Sequence, residues 1–460
     1  MLLAPGVLRL GIRLVRQLAV AIPVVLVLLW VLLPNDHFLR LWAIFQMSPV
    51  VDPTLSTSQF YTTPLPYPVD TNKDVVLIVK SGYGTRHRLR GWLDLVQRGL
   101  HFDNFLFVAD FDTDDLAMVD AKAEPVIVHN VANMTMHRVM DQLNFEEQKR
   151  YPRIEKYTTL EGALKHEYNT IAEKVAQEFG WEMDTIKFIP SLELAWTRYP
   201  KAKWYLLADD DTYLIRPSLE QFLGHLDSSK PLYVGNAVGA WNGRFAHGGS
   251  TIVVSRPALN QLFNGHPDVV QEAYVTSLTT LLGDHLVTKT FQRIGLYLKE
   301  GYSRFFNGEP PASTKIRHDR LCDPIISYHH IKTPEAMMAV HDVFGQATTP
   351  PRWLDTWRLK GAPTLPQLEK QPIIADWDHV GGLDEYTHSG KADTAEACMA
   401  KCTGKRWGAC LAWTFIPETK VCNTSPWMIV GQTEVGRMTG VNTKLVRKLA
   451  KDCLSSMNKV

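Results

Sequence analysis

The residues from 204 to 214 read Trp204-Tyr-Leu-Leu-Ala-Asp-Asp-Asp-Thr-Tyr-Leu214, an apolar run that ends in three consecutive acids. Such a run is typical of a strand buried in a parallel sheet, and ligands of open α/β sheets bind outside the carboxyl ends of the strands. Asp209 and Asp211 project to the same side of an extended backbone, and adjacent carboxylates are costly to hold together without a cation. The stretch therefore predicts a divalent metal site at a sheet edge, with an exposed acidic turn as the alternative.

Further apolar runs place this strand in an α/β fold. Continuous runs lie at 75–79, 104–109 and 125–128, and apolar residues recur at helical intervals over 86–100. Longer helices are predicted over 159–179 and 186–198, because their apolar residues follow the same period. Strands that alternate with helices predict an α/β domain with a parallel, Rossmann-like sheet.

Composition and charge limit the class of function. The chain of 460 residues is 45% hydrophobic, which is enough to build a globular core. Lys and Arg number 49 and Asp and Glu number 48, so the net charge of +1 gives no general attraction for nucleic acid. Specificity is therefore expected to come from a local site.

The N-terminal region has the pattern of a membrane anchor. Arg9, Arg13 and Arg16 precede an uncharged apolar stretch over 18–33. The positive-inside rule predicts a cytosolic tail over 1–17, a single-pass type II transmembrane anchor over 18–33 and a lumenal remainder. The stretch is shorter than the ~20 residues of a full span, so a cleaved signal peptide is the alternative.

The lumenal part is expected to have four segments. A proline-rich stretch over 34–72 predicts an extended stem with little regular structure. The α/β domain is predicted over 73–345, a connector over 346–372 and a small module over 373–460. Sequons at Asn133 and Asn423 are formal acceptors for N-glycosylation in such a compartment.

The small module contains most of the cysteines. Cys398, Cys402, Cys410 and Cys422 lie close together near the C-terminus, and a lumenal location predicts that they form disulfides. A zinc site is the alternative. The sequence leaves open whether the remaining two, at positions 322 and 453, pair with each other.

Residues 203–215 closely resemble the metal-binding motif of the Fringe-like and core 1 β(1,3)-galactosyltransferase-like enzymes of glycosyltransferase family 31. Pro231-Leu-Tyr-Val-Gly235 and Ala246-His-Gly-Gly-Ser-Thr-Ile-Val-Val-Ser-Arg256 match further family segments in the same order, and the resemblance extends over about residues 74–335. It implies a GT-A fold, a Golgi location and Mn²⁺ as cofactor. It also implies inverting transfer of a hexose or N-acetylhexosamine from a UDP-sugar to a glycan or glycoprotein acceptor, with a β(1,3) linkage.

The resemblance also implies a metal-binding histidine. Asp209 and Asp211 would bind the ion together with a histidine of Cys322-Asp-Pro-Ile-Ile-Ser-Tyr-His-His330, and the alignment favours His329. Because alternate residues of a strand face opposite sides, only one of His329 and His330 is expected to reach the metal. A histidine satisfied within the core is the alternative.

The same resemblance assigns a catalytic base. Asp284 matches the family's catalytic acid, which in such a reaction takes the proton of the acceptor hydroxyl. Gly283 departs from the family pattern, which has an acid pair at this point. An aspartate at the N-cap of a helix is the alternative role for Asp284.

Other residues are candidates for binding the two substrates. The candidates for the donor nucleotide are Lys80, Ser81, Arg86, Arg90 and Asp210. Asp110 and Asp112 are candidates for ribose or uracil, or belong to an acidic loop without a role. The candidates for the acceptor are Trp241 and the glycine pair Gly248 and Gly249. Phe245 is a further candidate for stacking on a sugar, with core packing as the alternative.

The C-terminal module resembles a PAN/apple domain. This resemblance implies disulfides between Cys398 and Cys422 and between Cys402 and Cys410, and a carbohydrate or protein ligand for the module. The main alternative function, motivated by the departure at Gly283, is a membrane-tethered, non-catalytic glycan-binding protein in which a transferase fold supports this module. A nucleotide-sugar phosphatase that uses the same acids is a third possibility.

Overall fold

The computed structural model describes residues 30–51, 55–61, 64–100, 102–112, 127–359, 361–404 and 409–457. Its strands are β1 Val75–Lys80, β2 Asn104–Ala109, β3 Val128–Asn130, β4 Trp204–Asp209, β5 Tyr213–Leu214, β6 Tyr233–Val234, β7 Ala237–Val238, β8 Phe245–Ala246, β9 Ile252–Ser255, β10 Ile316–Arg317, β11 Ser327–Tyr328, β12 Ile374–Asp378, β13 His388–Lys391, β14 Ala412–Ile416, β15 Val421–Ser425, β16 Trp427–Met428 and β17 Gln432–Val441. Its α-helices include Phe38–Val51, Thr57–Phe60, Thr71–Asp74, Leu89–Gln97, Val131–Met140, Phe145–Gln148, Pro152–Lys165, Asn169–Asp184, Phe188–Arg198, Arg216–Gly224, Arg256–Phe263, Pro267–Thr276, Gly283–Arg293, Pro334–Phe344, Leu365–Lys370, Ala395–Thr403 and Thr443–Met457.

A six-stranded sheet in the order β3-β2-β1-β4-β9-β6 forms the centre of the large domain. Its first four strands in that order run parallel, whereas β9 is antiparallel to both of its neighbours. All six residues of β1 are buried, as expected for a strand in the middle of a covered parallel sheet. The predicted α/β architecture is confirmed, and the register of β1 with β4 sets Lys80 beside Asp209.

Helix boundaries differ from the predicted ones in two places. The single helix expected over 159–179 is wrong, because two helices, Pro152–Lys165 and Asn169–Asp184, cover this region. Glu167 lies between them with a φ of 57°, a left-handed conformation that ends the first helix. The helix expected over 186–198 begins with a 3-10 turn, Thr185–Lys187, before the α-helix Phe188–Arg198.

The segment over 34–72 is not an extended stem. It contains the helix Phe38–Val51, and the ring of Phe60 is fully buried with its centroid 5.3 Å from that of Phe305. Apolar residues thus fold this segment onto the large domain. The anchor predicted over 18–33 lies outside the described residues except for 30–33. Among the described residues, no helix is both long enough and apolar enough to span a bilayer.

The C-terminal module is a five-stranded antiparallel sheet in the order β12-β17-β14-β15-β13, with the helix Ala395–Thr403 packed on it. Disulfides join Cys398 to Cys422 and Cys402 to Cys410, which are the pairs that the PAN/apple resemblance implied. A third disulfide joins the remaining two cysteines, Cys322 of the large domain and Cys453 of the last helix.

The two domains are in direct contact. Strand β10 of the large domain pairs with β16 of the module, and the third disulfide lies between the same two units. The connector over 346–372 is folded, with a 3-10 turn at Trp353–Arg358 and the helix Leu365–Lys370. Cross-links and strand pairing therefore fix the module to the large domain.

Both sequons lie within folded elements. Asn133 is in the helix Val131–Met140, and Thr135 of the same sequon is fully buried. Asn423 is buried on β15. Neither position resembles the exposed loop that an N-glycosylation acceptor normally occupies.

Candidate active site

A cleft of about 540 Å³ opens at the carboxyl ends of the parallel strands. Lys80 ends β1, Asp110 follows β2 and Asp209 ends β4. The lining includes all three acids of the triplet, both candidate histidines, the glycine pair and Asp284. Two larger cavities of about 670 Å³ lie elsewhere, so it is the chemistry of the lining rather than the volume that marks this cleft as the site.

Lys80 neutralises the first acid of the triplet. Its Nζ lies 2.8 Å from Asp209 Oδ1 and 2.7 Å from both carboxylate oxygens of Asp184. Burial alone would raise the pKa of Asp209, but the charges of Lys80 and His329 lower it below its usual value. Burial would lower the pKa of Lys80, and the two carboxylates raise it above its usual range instead. Lys80 and Asp209 are therefore ionised at neutral pH.

The second acid holds the segment that follows β1. Asp210 Oδ2 accepts hydrogen bonds from Ser81 Oγ at 2.7 Å and from Thr85 Oγ1 at 2.6 Å. Arg88 Nη1 lies between Asp210 Oδ1, at 3.0 Å, and Asp211 Oδ2, at 3.1 Å. Burial raises the pKa of Asp210, with Arg88 opposing the shift. The oxygens of Asp210 are thus bonded to residues 81–88, and those residues form one wall of the cleft.

The candidate histidines reach the triplet through a short strand pair. Strand β11 is antiparallel to β5, so the residues that follow Tyr328 return to the acids. His329 Nε2 lies 3.0 Å from Asp211 Oδ1 and 3.8 Å from Asp209 Oδ2. His330 Nδ1 lies 3.9 Å from Asp211 Oδ2.

Both candidate histidines lie near Asp211, and which of them would reach a metal stays a prediction. Strand β11 ends at Tyr328, and His330 has a φ of 59°, so strand alternation does not apply to this pair. One ligand atom each from Asp211, His329 and His330 lies within 4.8 Å of the others. Burial would lower the pKa of His329, but the adjacent Asp211 raises it, and His329 in turn lowers the pKa of Asp211 against the effect of burial.

Gly249 provides the space that the His329 ring occupies. A Cβ at position 249 would overlap that ring. The carbonyl of Gly249 accepts a hydrogen bond from Thr212 Oγ1 at 2.9 Å, which ties the glycine pair to the end of the triplet. His329 Nδ1 bonds the carbonyl of Gly308 at 3.3 Å, so Nε2 is directed at the acids. The glycine pair therefore positions the histidine.

Asp284 lies on the other side of the glycine pair. It is the second residue of the helix Gly283–Arg293, whose N-cap is Leu282, so the alternative of an N-cap aspartate does not hold. Its Oδ2 accepts from the backbone N–H of Gly248 at 2.9 Å, and its Oδ1 accepts from that of His285 at 2.8 Å. Burial raises the pKa of Asp284 to about 6, although the two backbone hydrogen bonds oppose the shift. A carboxyl with such a pKa is suited to accept a proton near neutral pH.

Comparison with known proteins agrees with this arrangement. The model of the family described as Fringe-like matches residues 147–362, a range that contains the triplet, the glycine pair, Asp284 and both histidines. Residues 147–362 form a Fringe-like domain. Chondroitin sulfate synthase 3 from Homo sapiens and its counterpart from Mus musculus are each 34% identical to this chain over 87 residues. That alignment covers 16% of the chain and 10% of each synthase, so the chain spans about a tenth of the length of these curated relatives.

The range matched by the Fringe-like model does not include β1 and β2, which supply the donor-side wall of the cleft. Of the candidates there, Lys80, Ser81 and Asp210 line the cleft. Arg86 instead bonds the carbonyl of Tyr83 and pairs with Glu173, and Arg90 pairs with Asp94 on its own helix. Arg86 and Arg90 therefore do not contribute to the lining.

Asp110 has a structural position at the base of the same wall. Its Oδ1 accepts from the N–H of Tyr83 at 2.7 Å, and its Oδ2 lies 3.4 Å from Lys187 Nζ. Lys187 also donates to the carbonyl of Ser81 at 2.6 Å. Asp112 is exposed, at the last described residue before the gap at 113–126.

On the acceptor side, Phe245 is half-buried and lines the cleft, whereas Trp241 lies outside it on a 3-10 turn. Sequence reasoning missed several residues that line the cleft of the Fringe-like domain and its donor-side wall: Arg88, Asp184, Lys187, Phe188 and His247. Burial lowers the pKa of His247 to about 4, so this side chain is neutral. His247 directly precedes the glycine pair, and that position is the one signal by which the sequence marked it.

Proposed function

We propose that this protein is a metal-dependent inverting glycosyltransferase. It transfers a hexose or N-acetylhexosamine from a UDP-sugar to a glycan or glycoprotein acceptor and forms a β(1,3) linkage. The observation that carries the proposal is that Asp209, Asp211, His329 and Asp284 line one cleft at the carboxyl ends of the sheet. The similarity to enzymes named chondroitin sulfate synthase 3 supports a glycan acceptor.

Asp211, His329 and His330 each offer a ligand atom within 4.8 Å of the others, a cluster that could hold a divalent metal ion, and Asp209 lies beside it. Oxygen and nitrogen ligands of such ions lie about 2.0–2.2 Å from the metal, so atoms that share one ion lie within roughly 4.4 Å of each other. His329 Nε2 meets this condition with Asp211 Oδ1 at 3.0 Å and with Asp209 Oδ2 at 3.8 Å. Carboxylate and imidazole ligands accept several divalent ions, and the choice of Mn²⁺ rests on the family resemblance. Asp209, Asp211 and His329 would hold the ion, which would stabilise the negative charge of the departing diphosphate.

The donor-side wall would bind the nucleotide. Lys80 and Arg88 place positive charge beside the triplet, and Gly82 and Gly84 allow the backbone to approach a phosphate closely. Because both cations are already paired with acids, they hold the triplet in place before the donor arrives. Binding energy is then not spent on ordering these side chains.

Asp284 would act as the general base. Its carboxylate takes the proton of the acceptor hydroxyl as the oxygen bonds to the anomeric carbon, while the bond from that carbon to the β-phosphate oxygen breaks and UDP leaves. Each carboxylate oxygen accepts one backbone N–H, which fixes the side chain and leaves a lone pair for the proton. Phe245 and the glycine pair border the side of the cleft from which the acceptor would approach.

The membrane anchor, the lumenal location and the C-terminal module predicted from the sequence are part of the same proposal. Three disulfides suit an oxidising compartment, which supports a type II protein anchored in the Golgi membrane with its catalytic domain in the lumen. The C-terminal module would be a PAN/apple-like domain with a carbohydrate or protein ligand of its own.

The test uses the full chain purified in detergent, with Mn²⁺ and a panel of UDP-sugars and glycan acceptors. The wild type should bind UDP only when Mn²⁺ is present and should release UDP when both substrates are supplied. Asp211→Asn should abolish both signals, whereas the control Asp393→Asn, which changes a side chain that is 90% exposed, should leave them unchanged. A wild type that binds glycans but neither binds UDP nor turns over any donor would refute the proposal and support the glycan-binding alternative. Phosphate release without an acceptor would instead indicate a phosphatase.

A further inference from the structure

An exposed apolar surface lies at the N-terminal side of the large domain. It consists of side chains that are between 40% and 76% exposed, which we call the apolar ridge: Trp30, Val31, Leu32, Phe38, Leu39, Trp42 and Met47. Soluble domains usually scatter exposed apolar residues singly, whereas seven of them within residues 30–47 indicate a surface that is covered in use. We therefore expect another surface to cover the ridge.

The ridge is held as one rigid corner. Arg40 donates to the carbonyls of Trp30, at 2.6 Å, and Leu33, at 3.1 Å, and its guanidinium lies 4.6 Å from the centre of the Trp30 ring. These contacts fix the end of the apolar stretch over 18–33 against the first turn of the helix Phe38–Val51. The chain consequently leaves the apolar stretch in a fixed direction.

The same corner is attached to the large domain. Asn35 Nδ2 donates to the carbonyl of Arg293 at 3.0 Å, and Tyr297 Oη donates to the carbonyl of Asn35 at 3.0 Å. Leu41 of the same helix is buried. The helix thus presents one side to the protein and the other to its surroundings.

The helix also lies beside the approach to the cleft. Its inner side packs along the 3-10 turn Trp241–Gly243, and Arg244 lies 5.6 Å from the centre of the Phe45 ring. This turn leads directly into Phe245 and the glycine pair. The position of the helix therefore sets the position of the acceptor-side rim.

We propose that the apolar ridge lies in the interfacial layer of a lipid bilayer and docks the large domain on the membrane surface. The ridge continues directly from the uncharged stretch over 18–33, which is apolar enough to enter a membrane. Its composition is that of an interfacial helix, with Trp, Phe and Leu on the exposed side. The helix Phe38–Val51 contains one charged residue, Arg40, which is bonded inward to the corner and so leaves the exposed side uncharged, with Gln46 as an exposed polar residue. The segment that leads into Phe245, which the proposed function places on the acceptor side, would then pack against a membrane-docked helix.

The test measures the depth of single side chains in the full chain reconstituted into phosphatidylcholine vesicles. All six cysteines are in disulfides, so one introduced cysteine accepts an environment-sensitive fluorophore without a competing thiol. Leu39→Cys and Trp42→Cys should show a blue-shifted emission and loss of fluorescence when nitroxide lipids are present. The matched controls Tyr168→Cys and Val435→Cys, which are also exposed, should show neither change.

A second measurement separates docking from mere tethering by the preceding stretch. A fluorophore at Phe38→Cys should lose its quenching when Leu39→Glu and Trp42→Glu are added, while circular dichroism shows the same melting curve as the parent. Equal quenching at the ridge and at the control positions would overturn the proposal. So would persistence of the Phe38 signal in the charged variant. Rapid formation of a Leu39→Cys dimer at high dilution in lipid would also overturn it, because a second copy of the chain would then cover the ridge.

Discussion

Asp284 is expected to destabilise the folded protein at neutral pH, and Asp284→Asn tests this directly. Burial raises the pKa of this carboxyl from 3.8 to about 6, so the unfolded chain releases the proton at lower pH than the folded protein does. Stability therefore falls as the pH rises from about 4 to about 6 and stays lower above that range. The free-energy difference corresponds to about 3 kcal/mol at pH 8.

The asparagine variant lacks this ionisation but loses part of the local hydrogen bonding. Asp284 accepts two backbone N–H groups, and an amide has one oxygen with which to accept them, which costs about 1–2 kcal/mol at every pH. The net expectation at pH 8 is a variant more stable than the wild type by about 1–2 kcal/mol. At pH 4 the order is reversed by a similar amount.

The assay is urea unfolding of both proteins at intervals from pH 4 to 8 with EDTA present. The difference in unfolding free energy should grow with pH in favour of the variant, whereas Asp393→Asn should show no such trend. A difference that is constant with pH would refute the reasoning, since Asp284 would then titrate as an ordinary exposed carboxyl. In the activity assay, kcat/KM of the wild type should rise with pH through about 6, and Asp284→Asn should lose roughly 10²–10⁴-fold.

Three further changes test the way in which the site is assembled. Gly249→Ala should displace His329 and weaken metal-dependent UDP binding by roughly 10–100-fold in calorimetry, whereas Gly243→Ala, where a Cβ meets no atom within 4 Å, should bind normally. Arg88→Ala should lower stability by about 3 kcal/mol at pH 8, because two buried acids lose their shared cation, and by much less at pH 4. A loss of unfolding free energy, relative to the wild type, that is equal at pH 8 and pH 4 would contradict this. Replacing Cys322 and Cys453 by serine opens a loop with a sequence separation of 131 and should cost about 5 kcal/mol of unfolding free energy, against about 2.5 kcal/mol for the bridge with a separation of 8 between Cys402 and Cys410.

The sequence was sufficient to predict those features of the fold and site that depend on a single strand. The buried runs of β1 and β4 were predicted because each is apolar throughout, and the triplet at the end of β4 had only one place in an α/β sheet. The sequence could not show which of Arg86, Arg88 and Arg90 lines the cleft. The segment begins as a 3-10 turn, Tyr83–Arg88, and continues as an α-helix from Leu89, and the two helix types turn by different angles per residue. The arginine that faces the cleft therefore depends on where one type gives way to the other.

The sequence also could not show pairings between distant segments. Lys80 and Asp184 are 104 residues apart, and Lys187 and Asp110 are 77 apart. The helix predicted over 159–179 stopped before Asp184, and Lys187 was included in the helix predicted over 186–198, so neither side chain was placed at the sheet edge. The sequence did not predict that His330 lies near Asp211 together with His329. The reason is local, because β11 ends at Tyr328 and His330 has a left-handed backbone.

Gly283 appeared from the sequence to be the weakest point in the case for catalysis, and its surroundings give it a different meaning. A Cβ at this position would overlap the ring of Phe188, and Lys80 Nζ lies 4.6 Å from the centre of the same ring. Phe188 thus occupies the space in which the first acid of the family's pair would have to stand, next to a lysine already paired with two acids. The glycine is therefore a steric match for the phenylalanine. Its presence leaves the hydrogen bond between Asp284 and Gly248 intact, so the departure from the family pattern does not remove the group proposed to accept the proton.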